Sequence, residues 1–213
     1  MSTVTQSWSQ IVTWLEQNAP ATAALINPPA DPKTIRWLET AIGYSLPPDL
    51  SEYLRQADGT RHRWVQGRLV PTLYNLVPCE DMLDIHKMWI KISGRGPHLG
   101  DADPAGTLST EWLGAFLPIG ESGTSVKLFV DLRPGDLHGC VGEYSPEDGG
   151  FHSVPWWPSV GVMLEDLAEA MVNRRPACQE YATATTTAWS KPRPYLPTVE
   201  EDGYLRWDRV YED

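Results

Sequence analysis

The hydrophobic period of this chain changes at Gly59, and that change limits the folds open to it. Before Gly59 apolar residues recur at helical spacing. Trp8, Ile11, Val12 and Leu15 mark one stripe, closed by Asn18, Ala19 and Pro20. Ile35, Leu38 and Ile42 mark a second, opened by Asp31-Pro32 and ended by Gly43. In SLPPDLSEYLRQADG, Pro48 suits a first turn and Asp49 and Glu52 lie near the positive end of the helix dipole. Leu50, Tyr53, Leu54 and Ala57 form its stripe, and Gly59 is expected to supply the left-handed closing residue.

After Gly59 short strands take over. RHRWVQGRLVPTLYNLV reads as one or two of them. CEDMLDIHKMWIKI interrupts as a helix, with Met82, Ile85, Trp89 and Ile92 on its inward side. In FLPIGESGTSVKLFVDLRPG, Val126, Leu128, Val130 and Leu132 alternate with Lys127, Phe129 and Asp131, a period of two. GCVGEY and FHSV read as further strands. A closing helix follows over SVGVMLEDLAEAMVNRR, capped by Ser159, with Val160, Leu164, Leu167 and Met171 inward. From Pro176 the composition turns to Ala, Thr and Pro, a linker or surface-hugging arm. It ends in TVEEDGYLRWDRV, where Asp202-Gly203 suits a two-residue hairpin turn. Segregated helices and turn-connected strands predict an α+β fold, with a largely antiparallel or mixed sheet of short strands flanked by helices. The expected organisation is an N-terminal helix and lead-in over 1–29, a central domain over 30–175, and a C-terminal arm with a short hairpin over 176–213.

The net charge of −11 argues against nucleic acid as a direct ligand, since phosphate binding needs clustered Lys and Arg. From Pro134 to Asn173 neither residue occurs, while Asp136, Glu143, Glu147, Asp148, Glu165, Asp166 and Glu169 all do. This run is either a solvated face or a docking surface for a cationic partner. The adjacent Trp156 and Trp157 predict one ring in the core and one near the surface, where it can anchor a partner. Asp136, Glu143, Glu147, Asp148, Trp156 and Trp157 are the candidate partner-binding residues.

Catalytic and metal motifs are weak. Ser122 has Gly120 before it, but Thr124 stands where a nucleophile elbow needs a small residue, and a strand follows instead of a helix. GESGTS has no Gly-Lys-Ser/Thr continuation, so it is no phosphate cradle. The stretch reads as a turn between strands. His62, His86, His98, His138 and His152 lack metal-binding spacing, and Asp101 and Asp103 begin a calcium-like pattern that does not continue to a later Glu. Cys79, Cys140 and Cys178 are too far apart for a zinc site and odd in number, as expected of reduced thiols in the cytosol. The N-terminus lacks a signal pattern, and no apolar run reaches membrane-spanning length. The expectation is a cytoplasmic, non-catalytic protein without cofactor or metal.

The order of elements resembles the SUKH superfamily, in particular its branch related to the fungal cell-wall-assembly regulator. A helix with Ile35, Leu38 and Glu39 leads to an LP-x-D helix at Leu46, Pro47, Asp49 and Leu50 ending near Gly59. A strand-turn-strand-turn unit follows at Phe116, Pro118, Ile119, Gly120, Asp131, Pro134 and Gly135, and the helix from Ser159 closes it. The resemblance covers roughly residues 30 to 175. It implies an α+β domain without catalytic residues, acting in bacteria as an immunity protein that neutralises a partner toxin, often a nuclease. In fungi it implies a regulatory scaffold in cell-wall synthesis. A basic toxin domain is the expected partner, a regulatory module without a toxin the alternative, and an enzyme of unrecognised type the third reading.

Overall fold

The computed structural model describes residues 3–61, 67–72, 74–94, 102–151, 154–178 and 194–211. Outside these lie Arg63, His62, His98, Asp101 and His152, most of the linker after Pro176, and the parts of the expected strands at 62–66 and 152–153.

The helices begin where local chemistry starts them. In α1 (Val4–Asn18) the Thr3 hydroxyl accepts from the Gln6 amide (3.2 Å) while the Gln6 side chain accepts from the Thr3 amide (3.0 Å), a reciprocal capping box. Trp8, Ile11 and Leu15 are buried against α6 (Val160–Asn173). Pro20 does more than stop α1, since it opens the short α2 (Pro20–Ala23). In α3 (Pro32–Ile42) Asp31 accepts from the Lys33 amide (2.7 Å), Ile35, Leu38 and Ile42 are buried, and Gly43 ends the helix at φ +80°.

The helix α4 (Pro48–Leu54) is shorter than its stripe predicts. Arg55 caps it in a right-handed conformation, so Gly59 does not close it. Gly59 has φ +63° for another reason: the chain crosses the strand β1 (Asn75–Leu76) there, and a Cβ would lie 2.5 Å from the Val77 carbonyl carbon. Asp49 sits in the first turn of α4, yet one carboxylate oxygen accepts from the Gly161 amide (2.8 Å). With Ser159 accepting from Val162 (3.3 Å), it caps the start of α6 from another helix.

One antiparallel sheet runs in the order β1, β2 (Phe116–Glu121), β3 (Lys127–Asp131), β4 (Val141–Tyr144). Phe116 faces Asp131, Lys127 faces Tyr144, and a bulge lies between Pro118 and Gly120. In β3, Lys127, Phe129 and Asp131 are as buried as Leu128 and Val130. Both faces are covered. Directly paired residues share a face, and on the face of Phe129 and Tyr144 the rings of Trp89, Trp112, Phe116 and Phe151 pack together. Trp89 comes from α5 (Cys79–Ser93), which lies against β2. Met82, Ile85 and Trp89 of α5 are inward as expected, whereas Ile92 is 63% exposed in the last turn.

The C-terminal strands β5 (Tyr195–Val199) and β6 (Leu205–Arg209) form the predicted hairpin with a different turn. Glu200 N–H donates to Tyr204 C=O (2.9 Å), closing a three-residue loop, and Gly203 takes the left-handed position at φ +82°. The hairpin is packed against the rest of the fold. Leu205 and Trp207 are buried, the Leu205 amide donates to the Thr22 hydroxyl (2.8 Å), and the Trp207 indole donates to Arg68 C=O (3.1 Å). A single apolar cluster runs from Val4 to Trp207.

Candidate functional site

The glycine-bracketed turn between β2 and β3 holds its serine internally. Ser122 Oγ lies 2.7 Å from Thr124 Oγ1 and donates to Val126 C=O (3.2 Å), while Thr124 Oγ1 accepts from the Val126 amide (3.2 Å). Gly123 takes φ +83° at the apex. The two described imidazoles are engaged elsewhere: His86 Nε2 with Gly114 C=O (2.8 Å) and His138 Nδ1 with Arg133 C=O (3.0 Å). The hydroxyl therefore ties the turn together, as a turn reading requires. The thiols of Cys79, Cys140 and Cys178 are free and buried. Burial raises all three, that of Cys140 to about 12, so none is a thiolate at neutral pH.

The six predicted partner-binding residues do not form one surface. Asp136 is exposed in the β3–β4 connection, and Glu147 and Asp148 are exposed in the turn after β4, so that strand separates them end to end. Glu143 is half-buried and accepts a short hydrogen bond from the Tyr74 hydroxyl. Trp156 and Trp157 are 5% and 0% exposed. The expectation that one of them stands at the surface fails, because Trp156 packs on Tyr74 and the Trp157 indole donates to buried Asp166 (2.9 Å). Asp166 also receives the Cys178 amide (2.8 Å) and pairs with Arg175 (2.9 Å), so this member of the acidic run holds the fold together.

What the fold does assemble is a groove of about 530 Å³ between α5 and the β2–β3 turn, lined by Ile85, Met88, Trp89, Asp84, Glu121, Lys127 and the turn residues Gly123 to Ser125. At its base Lys127 Nζ lies 3.5 Å from Glu121 Oε1, with the two side chains 3% and 7% exposed. Lys127 Nζ also donates to the carbonyls of Thr124 and Val126. Burial holds its pKa below the ordinary lysine value, against the upward pull of Glu121. Its ammonium is compensated within the protein. On the rim Met88 is 45% exposed and Asp84 is exposed, and the Ser125 hydroxyl donates to Glu147 (3.2 Å), which places that carboxylate at the groove's edge. Asp148 follows in the same turn, its carboxylate accepting from the Ser145 hydroxyl (2.6 Å).

Glu147 and Asp148 are among the residues expected from sequence, whereas the groove beside them is not. The available signal was the apolar run Ile85, Met88, Trp89 and Ile92, two residues longer than the core needs. Among the described residues no group of three or more His, Cys, Asp or Glu could hold a metal ion, and no helix is long and apolar enough to cross a membrane.

No individual curated protein matches the chain. A family does: residues 29–166 of the 213 match the SMI1 / KNR4 family (SUKH-1), from the loop before α3 into α6, and so take in the whole four-stranded sheet and the groove. With more than half its length matched and the expected α+β architecture in place, the chain belongs to the SMI1 / KNR4 family (SUKH-1).

Proposed function

We propose that this chain is a non-catalytic protein-binding module that captures and neutralises a cationic toxin domain, in the manner of the bacterial immunity proteins its family includes. The supporting observation is electrostatic. In a chain of net charge −11, the cation-free run from Pro134 to Asn173 presents Glu147 and Asp148 to solvent beside an open groove. A toxin that acts on phosphates carries a basic surface, and an opposed acidic surface speeds encounter and orients docking. A cytosolic location belongs to this reading and is supported by three unpaired, buried cysteines.

The test is titration with the basic protein encoded in the adjacent reading frame, following affinity and association rate at low and at physiological salt. Tight binding whose association rate falls with salt is expected, with a reduction of about tenfold in that rate for the Glu147→Lys, Asp148→Lys double variant. Absence of binding at low salt, or indifference to the charge reversal, would reject this role and favour the regulatory scaffold.

A further inference from the structure

We propose that the groove between α5 and the β2–β3 turn receives a short partner segment in which an apolar side chain stands next to a Lys or Arg. The inference rests on the proposed function for the partner's identity, and on the groove alone for the partner's chemistry.

The apolar requirement comes from the floor and one wall. Ile85, Met88 and Trp89 line the cavity, and Ile92, one turn beyond Met88 on α5, continues the strip at 63% exposure. Single exposed apolar residues are ordinary, but two on successive turns beside a cavity form a patch. Met88 is unbranched and can repack around an incoming side chain. At about 530 Å³ the space falls within the range of ligand-sized clefts, roughly 300–1,000 Å³.

The cationic requirement comes from the charges an incoming group would meet. Among the described residues Lys127 is the one Lys or Arg lining the groove, and it is buried and engaged by Glu121 and two carbonyls. Lys87 and Lys91 do not line it, although they lie three and seven residues after Asp84 on the same face of α5. Asp84 on the helical wall and Glu147, held to the turn by Ser125, are the carboxylates flanking the opening. A phosphate or an acidic segment placed there meets like charge. A second copy of this chain, itself at −11, is also disfavoured. An apolar side chain flanked by ammonium or guanidinium satisfies both parts of the site at once.

Two measurements on the full chain test the inference. In the first, methyl and indole NMR resonances are followed during titration with three capped tripeptides: Lys-Leu-Lys, Lys-Ser-Lys and Glu-Leu-Glu. Lys-Leu-Lys should shift the Met88 methyl and the Trp89 indole, and the other two should leave them in place. Equal shifts with Lys-Ser-Lys would mean charge alone, equal shifts with Glu-Leu-Glu would mean apolar contact alone, and no shift with any peptide would mean no site; each overturns the proposal. In the second, the adjacent-frame protein is titrated against Met88→Glu, which removes an apolar contact while adding an acid. Seating of an apolar side chain predicts affinity weakened by about tenfold or more. Purely electrostatic docking predicts unchanged or tighter binding, which would remove the groove from the interface yet leave the proposed function standing. Seating of Lys-Leu-Lys without any binding of the adjacent-frame protein would reject the proposed function and keep the groove.

Discussion

Asp131 and Arg133 form an ion pair at the end of β3 in which neither side chain reaches solvent: Nη2 lies 2.7 Å from Oδ2, and both are 0% exposed. Asp131 also accepts from the amides of Gly106 (2.8 Å) and Arg133 (3.1 Å), and Arg133 Nη2 donates to Thr107 C=O (2.6 Å). The pair thus fastens the loop around Pro104 to Thr107 to the sheet. Removing one partner leaves an uncompensated charge where solvent cannot reach it. Arg133→Met is expected to lower unfolding free energy by about 3–5 kcal/mol in urea titrations. Asp131→Asn with Arg133→Met should lose less than the sum of the single losses, because the two groups share one interaction. A loss below about 1 kcal/mol for Arg133→Met would contradict the buried-pair geometry.

The imidazole of His86 is 6% exposed, and its Nε2 reaches Gly114 C=O, a geometry that suits a neutral ring donating from Nε2. Burial holds its pKa below the ordinary 6.5, outweighing the carbonyl's upward pull. With the folded pKa below the unfolded one, the unfolded chain takes up the proton first. The stabilising contribution is complete above about pH 6.5 and is lost as pH falls toward the folded value, with a slope of up to about 1.4 kcal/mol per pH unit. Between pH 7 and pH 5.5, His86→Gln should lose less stability than the wild type. Parallel curves would show that His86 is not what responds.

The acidic run and the tryptophan pair, adjacent in sequence, should respond in opposite ways to substitution. Trp157→Ala removes a fully buried indole and orphans part of Asp166, with an expected loss of about 3–5 kcal/mol. Glu147→Lys alters an exposed turn and should stay within about 0.5 kcal/mol while slowing association with a cationic partner. A stability loss in Glu147→Lys comparable to that of Trp157→Ala would mean that the acidic turn is structural.

The parts of this molecule that were legible in sequence are those decided by neighbours in the chain. Asp31, Gly43 and Ser159 bound their helices as their chemistry requires, and the stripes of α1, α3 and α6 face inward as their spacing predicts. What escaped notice depends on distant segments. Asp49 serves its own helix as its position predicts, accepting from the Leu50 amide, but it also caps α6, because the fold brings the two starts together. The period of two in β3 marks the strand but does not show that the rings of Trp89, Trp112 and Phe151 cover the face of Lys127, Phe129 and Asp131. The groove needed α5 set against the β2–β3 turn, and nothing in either stretch alone records that contact. Trp157 was ambiguous because its partner, Asp166, looks in sequence like one more surface carboxylate.

Two glycines with similar backbone angles separate conformational strain from close packing. Gly43 (φ +80°) has no heavy atom within 4 Å of where a Cβ would stand, whereas at Gly59 (φ +63°) the Cβ would lie 2.5 Å from the Val77 carbonyl carbon and 2.7 Å from the Leu76 oxygen. Gly43→Ala therefore meets only the left-handed backbone penalty, about 1–2 kcal/mol. Gly59→Ala meets that penalty and must also push the main chain off β1, for a total of about 3 kcal/mol or more. The obstacle is backbone, so no rotamer change can relieve it. Denaturant midpoints for the two variants, measured side by side, should differ by the steric part alone. Equal losses would mean that the chain does not cross β1 as closely at Gly59 as these distances require, and that the glycine is there for its φ angle.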